Sequence, residues 1–218
     1  MKKIALLAAG ITMISTSAFS QTSTTTTTGG VRWGLKVGVN LPKYSYHLDD
    51  EENPETKTAT NFHVRGFVDL PVSTMFSIQP GVAVEGKGGK LVDTENAEIK
   101  QNTMWVEVPV NLVGKIPLGV TGSNIYLGAG PYAALGISGE TKYKLGDTET
   151  KTDVKFGDDE DLKSLDLGVN FMGGVHLGSG FLIGAQYGLG LNDLRPKGEG
   201  GDGKVTNRVL SFSVGFLF

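Results

Sequence analysis

The chain has no cysteine. That excludes disulfides, thiolate metal sites and a lipid anchor attached through a thiol. Beyond the first twenty residues it has no apolar run near the ~20 residues that a membrane-spanning helix needs. Helical periodicity is also scarce. Basic charge is not in excess: 20 Lys and Arg stand against 23 Asp and Glu, a net charge of −3. No basic patch of the kind that binds nucleic acid is evident. Glycine, by contrast, is abundant, with 32 residues. Among alternating residues, glycine marks crowding or tight curvature.

The chain opens "MKKIALLAAGITMISTSAFSQ". Lys2 and Lys3 make a charged start, Ile4 to Ile14 is mostly apolar, and Ala18 and Ser20 precede a cut before Gln21. This is the pattern of a cleaved secretory signal, residues 1–20. Its removal takes two lysines and no acid, which leaves a net charge of −5. Residues 21–30, "QTSTTTTTGG", have no periodicity and read as a disordered Thr-rich leader. Residues 31–218 read as one domain.

Within that domain, period-two alternation dominates. Segment 31–41 places Val31, Trp33, Leu35, Val37 and Val39 on one face, opposite Arg32, Lys36 and Asn40. Segment 61–70 sets Phe62, Val64 and Val68 against His63, Arg65 and Asp69. Segments 76–86, 103–114, 124–138, 164–177, 181–192 and 205–218 behave similarly, with 124–138 less clean because Tyr126 and Tyr132 share the glycine face. The eight strands are joined alternately by tight connections (71–74, 116–123, 178–180) and long ones (about 42–60, 87–102, 139–163, 193–204). An even number of strands, with short turns on one rim and long loops on the other, predicts an all-β, eight-stranded antiparallel up-and-down transmembrane β-barrel.

Alternation does not say which face is the core. A soluble periplasmic lipocalin-like ligand binder would turn the apolar face inward; a membrane barrel turns it to lipid. Glycine, serine and single charges crowd the other face, which suits a narrow eight-stranded interior. The apolar face is nearly free of charge, and Trp33, Phe62, Phe76, Phe181, Phe216 and Phe218 fall near strand ends, where interfacial girdles sit. The chain is therefore expected in the cell outer membrane, in contact with outer-membrane lipid and lipopolysaccharide.

The closing "SFSVGFLF" carries Phe212, Phe216 and Phe218 in one phase. It resembles the terminal strand of outer-membrane proteins, and that resemblance implies a signal read by the barrel-assembly machinery during insertion. "GLKVGVNL" (34–41), "FSIQPGVAVEGKGGK" (76–90), "WVEVPVNL" (105–112), "YLGAGPYAALG" (126–136) and "GAQYGLGLNDL" (184–194) follow in order, and "NRVLSFSVGFLF" (207–218) ends the series. Together they resemble the PorT-like outer-membrane β-barrel family, small barrels of Gram-negative cells without shared catalytic residues. The name-giving members are linked to protein secretion, so envelope or secretion proteins are expected as candidate partners.

Four inward charges form the first candidate site: Lys36, Arg65, Glu85 and Glu107. A narrow lumen does not tolerate unpaired charge, so they are expected to pair, with Lys36 neutralising Glu85 or Glu107. Two acidic runs, Asp49, Asp50, Glu51 and Glu52, then Asp158, Asp159, Glu160 and Asp161, fall in long loops. Their carboxylates suit weak divalent-cation bridging, though EF-hand spacing is absent. His47, His63 and His176 lie too far apart for a shared metal. "GEGGDGKV" (198–205) has phosphate-loop spacing but leads into a strand, without the Ser or Thr that must follow the Lys. Residues 139–156 alternate weakly around Gly146-Asp147, a hairpin dipeptide, and predict a two-stranded flap above the membrane. No cofactor and no enzymatic triad are expected. The reading is a structural or surface-interacting barrel with a filled lumen, or an accessory of a secretion machine.

Overall fold

The computed structural model describes residues 30–47, 56–94, 97–119, 122–146, 148–157, 160–196 and 204–218. The expected signal, nearly all of the expected leader, and Asp49 to Glu52, Asp158 and Asp159 lie outside the described residues. Nine strands are formed among the described residues: β1 (Arg32–His47), β2 (Asn61–Pro71), β3 (Phe76–Asp93), β4 (Ala97–Pro117), β5 (Asn124–Leu145), β6 (Thr148–Asp153), β7 (Leu165–His176), β8 (Phe181–Gly190) and β9 (Lys204–Leu217).

Eight of them close a ring. Each neighbour pair is antiparallel in the order β1-β2-β3-β4-β5-β7-β8-β9, and β9 returns to β1. The closing seam is long, running from Gly34 opposite Leu217 to His47 opposite Lys204. Closure satisfies every ladder hydrogen bond within the protein, as hydrocarbon requires. β6 stands outside the ring and pairs only with the upper half of β5, from Leu145 opposite Thr148 to Glu140 opposite Asp153. The chain reverses at Gly146, which has a positive φ of 56°. The two-stranded flap expected around this dipeptide is thus present.

The upper strands run further than alternation suggested. Residues 87–102 were expected to be a long loop; they form the ladder from Lys87 opposite Thr103 to Asp93 opposite Glu98. β1 likewise continues to His47. Gly88 allows the extension: its φ is 125°, and a Cβ there would lie 2.1 Å from the Gln101 carbonyl. Only glycine accepts both. The result is a four-stranded flap, β3-β4-β5-β6, rising from one side of the barrel above the membrane.

The two faces are sharply distinguished. Trp33, Leu35, Val37 and Val39 are exposed, whereas Lys36 and Asn40 between them are buried. Val64, Val84, Val110, Leu112, Phe171, Ile183, Phe212 and Val214 are exposed as well. A lipocalin would show the reverse, so the soluble ligand-binder alternative is corrected: the apolar band faces lipid. Trp33, Phe76, Phe181, Phe216 and Phe218 collect at the short-turn rim. Phe216 packs edge-on against Phe181 at 5.4 Å and beside Phe218 at 5.1 Å.

Candidate functional site in the lumen

Strand alternation sends charged and polar side chains from most of the strands into an interior about one side chain deep. They sort into three levels. At the top, beneath the long loops, lies an aromatic and aliphatic cap of Tyr44, Trp105, Tyr132, Val154, Leu162, Leu194 and Val205. Trp105 is fully buried, its indole N–H donates to Thr103 Oγ1 at 2.9 Å, and Phe156 meets its ring edge-on at 5.1 Å. Segment 139–163, expected to be a long connection carrying the two-stranded flap, therefore turns part of itself inward. Burying Val154 and Leu162 on the indole gains more than leaving them in water. Of the second acidic run, Asp161 is exposed and accepts the Lys155 N–H at 2.8 Å, and Glu160 is exposed.

The middle level is ionic. Arg65 on β2 donates through one nitrogen to Glu85 on β3 at 2.6 Å and to Glu107 on β4 at 3.1 Å, and its other nitrogen reaches Gln186 on β8. Lys87 joins Glu107 at 3.2 Å to Asp166 on β7 at 2.9 Å. Neutral donors add to the shells, though they leave Asp166 Oδ1 buried without a hydrogen-bond partner among the described residues. Asn40 donates to Glu85 at 2.9 Å, Asn170 to Glu107 at 3.0 Å and Asn207 to Asp166 at 2.9 Å. The Lys87 ammonium also lies over the Tyr132 ring at 4.4 Å. The network links strands from both sides of the barrel, and the side chains of Arg65, Lys87, Glu85, Glu107 and Asp166 are almost wholly buried.

Three of the four expected charges thus meet: Arg65, Glu85 and Glu107. Lys36 does not join them. Its ammonium lies over the rings of Phe67 at 5.0 Å and Tyr126 at 4.9 Å, and no carboxylate of the described residues is within ion-pair distance. The expected neutralisation of Glu85 or Glu107 by Lys36 is corrected, and the register explains why. Lys36 stands directly opposite Arg65. The Arg65 guanidinium holds both carboxylates through one nitrogen and Gln186 through the other, and the like charge turns Lys36 away, toward the short-turn rim. Gly215 opposite it leaves the room, since a Cβ there would lie 2.8 Å from Lys36 Cγ.

Lys87 and Asp166 were missed as network members. Lys87 keeps the odd phase of Glu85, but it fell in the segment read as a loop. Asp166 falls on the polar face of segment 164–177, and its partner Lys87 is distant in sequence. The bottom level was missed too. Asp69 accepts from Arg32 at 2.9 Å, from Lys115 at 2.9 and 2.7 Å on its two oxygens, and from Gln79 at 3.0 Å. Of the histidines, His63 Nδ1 lies 2.7 Å from Asn40 Oδ1 and His176 Nδ1 lies 3.0 Å from Asn124 Nδ2. Among the described residues no group of three or more His, Asp or Glu side chains converges to hold a metal.

A closed antiparallel ring, lipid-facing apolar side chains and an ion-filled interior define an outer-membrane β-barrel. Residues 19–195 match the outer membrane protein beta-barrel domain family, and the chain belongs to that family. No curated protein matches it. Similar solved structures include Ail, the attachment invasion locus protein of Yersinia pestis, at 11% identity and a TM-score of 0.44, covering 87% of this chain and 100% of that one. Ail is also known in complex with the heparin analogue sucrose octasulfate. Neisserial surface protein A is similar at 11% identity, TM-score 0.43, with 87% and 98% covered. OprG from Pseudomonas aeruginosa is similar at 15% identity, TM-score 0.41, with 88% and 97% covered.

Proposed function

We propose that this outer-membrane barrel is a non-enzymatic envelope protein with a closed lumen, acting through its extracellular surface. One observation carries the reading: the ionic level ties strands across the barrel while the cap seals it above. The cavities beside Lys36 are only about 10 Å³ each, room for single water-sized particles. A lumen so filled serves as the core of the fold. Outside the membrane, the four-stranded flap presents Tyr143, Leu91 and the hairpin-tip residue Leu145, 70% exposed. Exposed apolar groups on an ordered edge suit contact with another envelope component. Among the described residues β6 also leaves one edge unpaired, open to strand addition. The outer surface would contact lipid and lipopolysaccharide, and Phe212, Phe216 and Phe218 would be read by the assembly machinery.

The PorT-like resemblance supports a finer version, in which the flap's partner belongs to a protein-secretion machine. A photo-crosslinking residue at Leu145 on intact cells tests both versions. A discrete envelope protein joined at that position supports the surface role, and a secretion component supports the finer reading. Recovery of the barrel alone, together with steady single-channel currents in planar bilayers, would overturn the closed-lumen, surface-acting reading.

A further inference from the structure

Five buried or half-buried cations face the lumen (Arg32, Lys36, Arg65, Lys87 and Lys115) against four carboxylates, Asp69, Glu85, Glu107 and Asp166. The carboxylates are already engaged. Asp69 is held by Arg32, Lys115 and Gln79, Glu85 by Arg65 and Asn40, Glu107 by Arg65, Lys87 and Asn170, and Asp166 by Lys87 and Asn207. The cation left over is Lys36, only 8% exposed. Two aromatic faces stabilise its charge in part. They do not neutralise it, and an uncompensated buried charge is costly.

Directly beside Lys36, toward the short-turn rim, lies a cavity of about 10 Å³. Arg32, Lys36 and Lys115 line it together with Asn124, Tyr126 and His176, and no carboxylate does. One of the lining residues, Arg32, has its Nε buried without a hydrogen-bond partner among the described residues. Arg32 and Lys115 share the single carboxylate of Asp69, which stands just outside the lining, so with Lys36 the pocket keeps an excess of positive charge. The volume admits about one water-sized particle, which excludes phosphate, sulfate and any carboxylate-bearing metabolite.

We infer that the lower lumen binds one small monovalent anion of halide size between Lys36 and Arg32. It completes the charge balance of the barrel, as a carboxylate would have done had one stood on a facing strand. The anion is a structural ligand, distinct from any partner of the extracellular flap.

The test uses the mature barrel refolded in detergent. Urea unfolding midpoints are compared in sodium chloride and in sodium gluconate at equal ionic strength, since gluconate is too large to enter. The midpoint is higher in chloride for the wild type and for Lys57→Met, which removes an exposed lysine of the β1–β2 connection. In Lys36→Met the chloride advantage is lost. Because Lys36→Met could refold poorly, crystals of the wild type are also soaked in sodium bromide. An anomalous bromide peak within contact distance of Lys36 Nζ supports the site. Equal midpoints in both salts for the wild type, with no bromide peak in that cavity, would overturn it and make water the only guest.

Discussion

Replacing Arg65 with methionine isolates the ionic level of the lumen. Methionine keeps much of the side chain's apolar volume and removes both donated hydrogen bonds to carboxylates. The two acids then differ. Glu107 still has Lys87 at 3.2 Å and Asn170 at 3.0 Å. Glu85 keeps a single side-chain donor, Asn40 at 2.9 Å. Breaking a buried pair by removing one partner costs about 3–5 kcal/mol, because the other charge is left uncompensated. Arg65→Met is expected to lose that much, as read from urea unfolding in detergent by linear extrapolation. The diagnostic is the second substitution. Arg65→Met with Glu85→Gln removes the orphaned charge and is expected to recover most of the loss. Arg65→Met with Glu107→Gln leaves Glu85 stranded, takes a partner from Lys87, and recovers little or none. Equal recovery in the two double variants, or a loss below about 1 kcal/mol for Arg65→Met, a size typical of exposed pairs, would refute a plug organised by Arg65.

Trp105→Ala removes the centre of the aromatic cap. It is expected to cost about 3–5 kcal/mol, seen as a lower unfolding temperature in gel-shift assays of unboiled samples. The two tryptophans give an independent test of face assignment: in liposomes of brominated lipid, Trp33 fluorescence should be quenched and Trp105 fluorescence should not. Gly88→Ala introduces a Cβ 2.1 Å from the Gln101 carbonyl at a positive φ. It should loosen the β3-β4 extension, measured as faster amide exchange between Lys90 and Asn102, while the membrane-embedded strands keep their protection. At the loop rim, partial burial of Asp193 disfavours its charge, but the N–H groups of Val205 and Arg195 and the Arg195 guanidinium outweigh it, so its pKa lies below the ordinary carboxylate value. The anchoring of Val205 by Asp193 is thus fully present above the unfolded carboxylate pKa and is lost as pH falls through the depressed folded one. The Val205 amide resonance should move in that acid window, and should not in Asp193→Asn.

Much of this architecture was legible because a strand has a period of two and a membrane imposes one sign on it. Lys36, Arg65, Glu85 and Glu107 could be placed inward from phase alone, as could Asp69 and Asp166. Phase also set Trp33 and Phe212 outward. The hairpin at Gly146 was legible because few residues other than glycine favour a positive φ. The strand ends beyond residue 86 were not. Gly88, Gly89 and a bulge between Lys90 and Val92 interrupt the alternation just where the ladder continues, and local pattern cannot see a partner strand. The inward turn of Val154, Phe156 and Leu162 was hidden likewise. A short apolar-polar mixture reads as loop until the cap it completes exists.

The amino-acid sequence by itself determined the class of fold, the side of each strand that meets lipid, and which charges enter the lumen. These follow from periodicity, from the cost of charge in hydrocarbon and from the lack of any long apolar helix. Only the tertiary structure decided which charge meets which. Lys36 and Arg65 carry the same sign on the same face, and in sequence either could serve Glu85. Register sets them side by side, the guanidinium takes both glutamates, and Gly215 gives the ammonium room to turn to Phe67 and Tyr126. Pairing inside a barrel depends on stagger and strand tilt across chain-distant strands, and no stretch of sequence read alone contains that geometry.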